Sequence, residues 1–521
     1  MMRAADRALI WSLPLYALRN ATAADAIPDA FVVGIPIGVL SLHRFATWQR
    51  FAYWQLTLTL LGWGAAALSL TVTSVLLGVF GIALNYAFPL PQIVGSPGEY
   101  SVGVVDYEVT GSSVIGRMFY PTSPHAHLAS YLYHDNRHGL TRKFMQIAAP
   151  KQLRKFLPEF VLSHWGSVQI AARVGAPISG DGTKPLPVVV FSHGLTASRE
   201  TSTSLALSIA AQGAVVVLVE HTDKSCSLAR FGDGTSVPFN ASIFDLGSEP
   251  ATVAYREARR GQAAERVVNM KETLAFLAAV HDGNALPPTQ LDGITPERTT
   301  ALLGSLKGRL ALERIAVGGH SFGGCTALAL VADMLQADKA TASSTLKSLF
   351  LQTPSKPLAL GAVFSLDPAV DWVPPSLWAE IGYDGIFNDN HYKEASTRKE
   401  HEAPAPLVAR SMPVLNVFSE GWRNALWYQR WATKLALAPG AARPAAALAI
   451  KGCGHQGMCD LAHTLPHWLN RFLQNTLGTP SVEMGDAVNA SVLGFLRNAK
   501  VLYGPTTDLE EIPTTMGHVQ G

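Results

Sequence analysis

From residue 99 onward, hydrophobic residues occur in short runs rich in Val, Ile and Leu, separated by longer segments of mixed polarity. Such runs predict β-strands, and the longer segments between them predict helices. The run Val215–Val219 is continuously apolar, which is typical of a strand buried on both faces of a parallel sheet. We predict eight strands, at residues 102–109, 113–120, 186–192, 214–220, 314–318, 361–366, 413–418 and 445–450.

Helices are predicted between these strands, for example over residues 258–280 and after Ser321. Strands that alternate with helices, without an internal repeat, favour one domain in which every crossover returns to the same sheet. The sequence therefore predicts an α/β fold for residues 99–521, built on a mostly parallel, doubly wound sheet of about eight strands.

The region before residue 99 has a different pattern. Residues 51–98 contain no Asp, Glu, Lys or Arg, and the apolar run over 54–88 exceeds the ~20 residues that cross a bilayer. A second apolar segment, 30–42, is short for a span of its own and would form half of a hairpin. We therefore predict a membrane-anchoring region over residues 1–98, with a helical transmembrane segment. A buried core helix is the alternative for 54–88.

Basic residues indicate an orientation for this anchor. His43, Arg44 and Arg50 lie between the two apolar segments, and cationic loops tend to stay on the cytoplasmic side. The domain that follows would then face the lumen or the cell exterior.

Composition and charge exclude some classes of protein. The chain has 41 Lys and Arg against 39 Asp and Glu, and this balance lacks the clustered cationic excess that nucleic-acid binding requires. Nothing indicates an obligate protein partner. The four cysteines are too few for a disulfide scaffold in 521 residues. A zinc site at Cys453, His455, Cys459 and His463 is conceivable, but the spacing matches no established ligand pattern.

The pentapeptide Gly319-His320-Ser321-Phe322-Gly323 follows the strand at 314–318 and precedes an apolar helical segment. A Gly-x-Ser-x-Gly turn between a strand and a helix exposes the serine hydroxyl at the edge of a sheet. Its glycines leave room where a larger side chain would meet the strand and the helix. We predict that Ser321 is a nucleophile in this turn, with a purely structural glycine turn as the alternative.

A serine hydroxyl needs a base to remove its proton, and the base needs an acid to hold its tautomer. In this fold class the acid and then the base follow strands downstream of the serine. Asp367 directly follows the strand at 361–366, with Asp371 as a rival, and we predict that Asp367 is the acid. His455 follows the strand at 445–450 and is the predicted base. The rival bases His463 and His467 fall in a predicted helix.

The oxyanion of a tetrahedral intermediate needs backbone N–H donors. One is predicted at Phe322, directly after the nucleophile, and the other at Leu195, in the loop after the strand at 186–192. Gly194 lets this loop turn tightly. His193 would either orient the loop or serve as an ordinary structural histidine.

These motifs resemble the platelet-activating factor acetylhydrolases of the plasma and intracellular type II kind. The segments YSVGVVD, LPVVVFSHGL, VEHTDKS, IAVGGHSFGG, SLDP and GCGHQ occur in the order found in that family. The resemblance implies an α/β-hydrolase fold with Ser321 as nucleophile, Asp367 as acid, His455 as base, and the amides of Leu195 and Phe322 as oxyanion donors. It implies hydrolysis of the short sn-2 acyl ester of ether or oxidised phospholipids, without calcium, another metal or a cofactor.

The sequence departs from that family's pattern at three places. Soluble members lack an apolar run like 54–88, and residues 337–358 and 376–411 look like insertions. We therefore predict a serine esterase of phospholipids that is anchored in a membrane. The rivals are a broader lipase or carboxylesterase on the same fold, and a non-catalytic hydrolase-like membrane protein.

Overall fold

The structure is a computed structural model of the chain. It describes residues 92–109, 112–123, 129–130, 165, 168–179, 182, 184–245, 253–284, 295–339, 358–383, 405–423, 431, 435, 438–465, 470–471, 477, 479–506 and 516–518.

The chain divides by its internal contacts into two compact units. One comprises Met1–Gln92 with Ser130–Gln169, and the other comprises Ile93–Ala129 with Ile170–Gly521. The predicted membrane segments at 30–42 and 54–88 lie outside the described residues. No helix among the residues that the structure does describe is long and apolar enough to cross a bilayer.

The second unit contains the main sheet. Its strands, in chain order, are β1 (Ser101–Glu108), β2 (Ile115–Thr122), β3 (Arg173–Val174), β4 (Leu186–Ser192), β5 (Val215–Glu220), β6 (Leu310–His320), β7 (Leu360–Leu366), β8 (Val414–Ser419), β9 (Ala445–Ile450) and β10 (Met516–His518). Shorter strands outside this sheet are Gln92–Ile93, Ala129–Ser130, Gln169–Ile170, Leu228–Arg230 and Ser236–Pro238.

The strand order across the sheet is β10-β9-β8-β7-β6-β4-β5-β2-β1-β3. The six strands from β9 to β5 are parallel to one another. β2 pairs antiparallel with both β5 and β1, and β10 pairs antiparallel with β9. The eight predicted strands are present in this sheet, which also contains the two unpredicted short strands β3 and β10.

The strand β6, which precedes Ser321, begins at Leu310, four residues before its predicted start. Its register against β4 shifts between Ala311 and Ala316, where the pairing is interrupted by an irregularity. The charged pair Glu313 and Arg314 falls in this interrupted segment. Since the apolar pattern is broken there, the sequence shows only the second half of the strand.

Helices cover both faces of the sheet, as predicted for a doubly wound fold. The helices are α1 (Thr203–Ala210), α2 (Val253–Asp282), α3 (Pro296–Gly304), α4 (Phe322–Lys339) and α5 (Ser481–Asn498). Side chains alternate across a strand. In β5, Val215 and Val217 belong to the core packed around α2 and α4, while Val216 and Leu218 are buried on the opposite face. There α1 packs on β5 and against α5.

Shorter helical segments connect these elements. The α-helical turns are Ser242–Asp245, Trp378–Ile381, Leu407–Ser411, Glu420–Arg423 and Leu461–Thr464, and the 3₁₀ turns are Arg199–Ser202, Val370–Trp372, Pro375–Leu377 and His455–Met458. Most follow parallel strands, so they lie near the carboxyl edge of the sheet, where open α/β sheets carry their sites.

Candidate active site

Ser321 lies at the junction between β6 and α4. Its backbone adopts φ +56°, in the left-handed region that a non-glycine residue rarely occupies. The Ser321 amide donates to the backbone oxygen of Leu366, at the end of the neighbouring strand, over 2.8 Å. The predicted strand, turn and helix are therefore present, and the surrounding structure holds the serine in a strained conformation.

The two flanking glycines of the turn leave no room for a side chain. A Cβ atom on Gly319 would lie 2.1 Å from the backbone oxygen of Gly323, and one on Gly323 would lie 1.9 Å from the backbone oxygen of Ser192. Real Cβ atoms do not approach backbone this closely. The turn thus packs directly against the end of β4, which places Ser321 beside the loop that follows that strand.

The structure brings Ser321, His455 and Asp367 together. The His455 Nε2 lies 3.0 Å from the Ser321 Oγ, and the His455 Nδ1 lies 2.9 Å from the Asp367 Oδ2. The other carboxylate oxygen of Asp367 accepts from the Ser419 amide over 2.8 Å. Asp367 is completely buried, whereas 27% of the His455 side chain is exposed. His455, the predicted base, is thus the member of this group that is open to solvent.

The rival residues occupy other positions. Asp371 lies in the 3₁₀ turn Val370–Trp372, and burial raises the pKa of its carboxyl to about 6. His463 lies in the short helix Leu461–Thr464, where burial lowers the pKa of its imidazole to about 4. Within the described ranges, neither makes a hydrogen bond or an ion pair with Ser321 or His455. His467 lies outside the described residues.

The two predicted oxyanion donors both lie close to Ser321, one next to it in the chain and one in a neighbouring loop. Phe322 is the first residue of α4 and is completely buried, and Leu195 is half-buried in the loop after β4. A Cβ atom on Gly194 would lie 3.4 Å from the Ser321 Cβ, so this loop packs against the serine. In the part of the chain that the structure describes, neither the Leu195 nor the Phe322 amide donates to another backbone group.

His193 contacts both its own loop and a carboxylate. Its Nδ1 donates to the backbone oxygen of Gly194 over 2.8 Å, and its Nε2 lies 2.9 Å from the Glu220 Oε1. Both groups are buried. His193 is therefore a buried structural histidine, and its hydrogen bond to Gly194 also helps to orient the loop.

Two further residues contact His455, and neither contact was predicted from the sequence. His320 donates from Nε2 to the backbone oxygen of His455 over 3.1 Å, and burial lowers the pKa of its imidazole well below the usual range. A neutral His320 places no second cation beside His455. Trp422 stacks flat on the His455 ring; its place shortly after β8 is the one sequence feature that could have indicated it.

The conceivable zinc ligands do not form a cluster. Among the described residues, no group of three or more His, Cys, Asp or Glu side chains is arranged to hold a metal ion. Cys453 and Cys459 are free and buried, and burial raises the pKa of both thiols. No disulfide joins these two cysteines.

Comparison with known proteins identifies relatives of this chain. Residues 87–345 match the family model of platelet-activating factor acetylhydrolase, isoform II. Proteins named platelet-activating factor acetylhydrolase from Cavia porcellus and Canis lupus familiaris are 25% and 28% identical to it over 233 and 235 residues. Each of these two matches covers 44% of this chain and 50% of the relative. The relative of the same name from Gallus gallus is 30% identical, over 31% of this chain and 39% of its own.

The chain spans about half the length of the curated relatives it matches. Among solved structures, a ferulic acid esterase from Streptomyces cinnamoneus aligns over 82% of this chain and 99% of its own. The sequence identity is 17% and the TM-score is 0.49. The family match includes Ser321 and both predicted oxyanion donors, and it ends before Asp367 and His455. The resemblance found in the sequence motifs is confirmed over residues 87–345, which match the model of the platelet-activating factor acetylhydrolase family.

Proposed function

We propose that this chain is a serine esterase that hydrolyses the short sn-2 acyl ester of phospholipids resembling platelet-activating factor, or of oxidised phospholipids. The observation that carries the proposal is the continuous contact from Asp367 through His455 to Ser321, over 2.9 and 3.0 Å. The family match and the names of the relatives support an ester hydrolase acting on phospholipids.

In the first half-reaction, His455 Nε2 takes the proton of the Ser321 hydroxyl as its Oγ attacks the ester carbonyl. The imidazolium that forms is stabilised by Asp367, whose two oxygens are held by His455 Nδ1 and the Ser419 amide. The carbonyl oxygen becomes an oxyanion, and the amides of Leu195 and Phe322 are the proposed donors to it.

Collapse of this intermediate breaks the bond to the sn-2 oxygen, and His455 donates the proton that the leaving lysophospholipid requires. The acyl group stays on Ser321 Oγ. In the second half-reaction His455 removes a proton from water, which attacks the acyl carbon. The bond from that carbon to Ser321 Oγ then breaks, His455 returns the proton to Oγ, and the carboxylic acid leaves. No step requires a metal ion, so we expect activity to be unchanged by chelators of calcium.

The experiment compares wild type with Ser321→Ala on a 1-alkyl-2-acetyl glycerophosphocholine, using full-length protein. We expect the substitution to lower kcat by about 10⁴-fold or more and to leave the circular dichroism spectrum unchanged. Retained activity in folded Ser321→Ala would overturn the assignment. A fluorophosphonate should label wild-type Ser321; folded protein that is never labelled would instead favour a non-catalytic binding module.

A second experiment tests the proposed preference for short sn-2 acyl chains. Acetyl, hexanoyl and palmitoyl sn-2 phospholipids, an sn-1 ester and a triglyceride are offered to the same preparation. We expect kcat/KM to fall as the sn-2 chain lengthens. Equal turnover of all these esters would indicate a broad lipase or carboxylesterase.

We also propose that residues 1–98 anchor the enzyme in a membrane, because the uncharged run over 54–88 is long enough to span one. Anchoring raises the effective concentration of a phospholipid substrate at the active site. The test is protease protection in sealed vesicles that contain the full-length chain. If the domain after residue 98 faces the lumen, it should be protected from the protease until detergent is added. Extraction of the protein from the vesicles by alkaline carbonate would refute the anchor.

A further inference from the structure

Arg266 is a completely buried cation in the middle of α2, and it contacts the loop that follows β4. Its Nη1 donates to the backbone oxygen of His193 over 2.6 Å, and its Nη2 reaches the backbone oxygen of Gly194 over 3.4 Å. A buried charge is costly unless it is paired and hydrogen-bonded. These contacts therefore couple the position of the loop to the middle of the helix.

The contact at Gly194 determines the direction of the neighbouring amide. The carbonyl of Gly194 and the N–H of Leu195 belong to the same peptide group, and in a planar trans peptide they point in opposite directions. That carbonyl accepts from His193 Nδ1 as well as from Arg266. With the carbonyl held on the side of α2, the Leu195 N–H is held on the opposite side.

The same guanidinium also contacts the second proposed donor. It lies over the ring of Phe322, 4.2 Å from the ring centroid. A cation in this position is attracted to the aromatic face, and the attraction increases when both groups are desolvated, as they are here. Phe322 is further held by an edge contact with Trp372, with centroids 4.9 Å apart. One side chain thus contacts the peptide group that contains the Leu195 amide and the ring of the residue that carries the Phe322 amide.

The charge of Arg266 is compensated by the loop after β5. The Asp223 Oδ2 lies 3.1 Å from Arg266 Nε, and the Ser225 Oγ accepts from Nη2 over 2.6 Å. Asp223 is itself buried and also accepts from the Ser225 amide. The planar guanidinium therefore bridges four groups in fixed directions, counting the two backbone oxygens of the loop after β4, which the single ammonium of a lysine cannot do.

We propose that Arg266 is the positioning residue of the oxyanion hole, holding the Leu195 and Phe322 amides in the separation that the tetrahedral intermediate requires. Arg266 does not touch the substrate; it acts through the two residues whose amides would. This inference rests on the proposed function, since it assigns a role within the same hydrolytic site.

The test replaces Arg266 by lysine, which keeps a cation beside Asp223 but loses the fork. We expect kcat per active site, counted by fluorophosphonate labelling to completion, to fall by about 10²-fold, the scale of losing one oxyanion donor. KM should stay within about 3-fold, because the loss is confined to the transition state. The affinity of a trifluoromethyl ketone, which forms a tetrahedral adduct on Ser321, should fall in parallel with kcat.

A matched control lies on the same helix. Lys271 is largely buried and forms an ion pair with Asp333 on α4, away from the loop after β4. Lys271→Met should lower the melting temperature and leave kcat and the ketone affinity unchanged. If Arg266→Lys fails to fold, the double variant Asp223→Asn/Arg266→Gln removes both buried charges together, and the same fall in kcat is expected from it.

The outcomes separate the two proposals. A folded Arg266 variant with kcat and ketone affinity within about 3-fold of wild type would overturn the positioning role and leave Arg266 a structural ion pair. Activity that survives in Ser321→Ala would overturn the proposed function itself, whatever the Arg266 variants do. The pH profile of kcat should be the same in wild type and Arg266→Lys, since the His455 and Asp367 contacts are retained.

Discussion

The indole of Trp422 lies flat against the imidazole of His455, with the ring centroids 5.0 Å apart and the planes inclined by 8°. The imidazole must present Nε2 to Ser321 and Nδ1 to Asp367 at the same time, so rotation of its plane would break one of the two contacts. Part of the His455 side chain is exposed, and water alone would not prevent its ring from rotating. The indole restrains that rotation.

Trp422→Ala should therefore lower kcat. A stacked aromatic pair contributes about 0.5–1.5 kcal/mol, which corresponds to roughly 2- to 10-fold in rate. Trp422→Phe, which keeps a ring against His455, should recover most of the activity. Steady-state kinetics with active-site titration measures both variants. Equal kcat in wild type and Trp422→Ala would show that the stack does not position the base.

The choice between the two candidate acids is tested by a pair of asparagine substitutions. Asp367→Asn should lower kcat by about 10³–10⁴-fold, because an amide cannot both accept from His455 and stabilise the imidazolium. Asp371→Asn should change kcat little, because that carboxyl makes no hydrogen bond to His455 in the described structure. A larger loss in Asp371→Asn than in Asp367→Asn would reverse the assignment.

Asp371 should instead affect the pH dependence of stability. Burial raises the pKa of its carboxyl from 3.8 to about 6 in the folded protein. Between these values the folded state binds more protons than the unfolded state, so stability falls as the pH rises from about 4 to 6. Above pH 6 the full cost remains, about 3 kcal/mol for a shift of this size.

Asp371→Asn removes that titration. The variant should match wild type near pH 4 and exceed it in free energy of unfolding at pH 7 to 8, as measured by urea denaturation. Parallel pH curves for the two proteins would contradict the raised pKa. Because the difference concerns stability, it is independent of the kinetic comparison.

The glycines of the nucleophile turn should not tolerate alanine. Gly323→Ala would place a methyl group 1.9 Å from the backbone oxygen of Ser192, and overpacking against backbone costs about 3 kcal/mol or more. Gly261→Ala is the matched control, because a Cβ atom there meets nothing within 4 Å. Gly261 lies inside α2, so alanine should stabilise the protein by about 0.5–1 kcal/mol. Thermal unfolding measures both, and a stable Gly323→Ala protein would contradict the packing of the turn.

A strand of this fold could be predicted where its sequence contains an uninterrupted apolar run. The strand Val215–Glu220 could be predicted because strands covered on both faces are continuously apolar. Arg173–Val174 and Met516–His518 were missed, since two or three residues carry no periodicity and depend on the neighbouring strand for their pairing. Leu310 was missed as the start of β6 because charged residues interrupt its apolar run.

The residues of the candidate site that directly follow strands were predicted from the sequence. The residues that helix packing brings near them were not. Ser321, Asp367 and His455 each follow a strand of the parallel sheet, and parallel strands bring such positions to one edge. Arg266 lies in the middle of a long helix and Trp422 lies on a short one, and no local pattern relates either to the nucleophile. Their contacts depend on how α2 and the segment after β8 pack against the sheet, which spacing alone does not specify.

In the proposed mechanism, Ser321 carries the acyl group of the substrate during turnover. The most direct measurement is rapid acid quenching of full-length enzyme during hydrolysis of a 1-alkyl-2-acetyl glycerophosphocholine, followed by digestion and mass spectrometry. An acetyl group on Ser321, which disappears when substrate is exhausted and is absent from Ser321→Ala, is the predicted result. Turnover with Ser321 unmodified throughout, or with the acetyl group on another residue, would contradict the account.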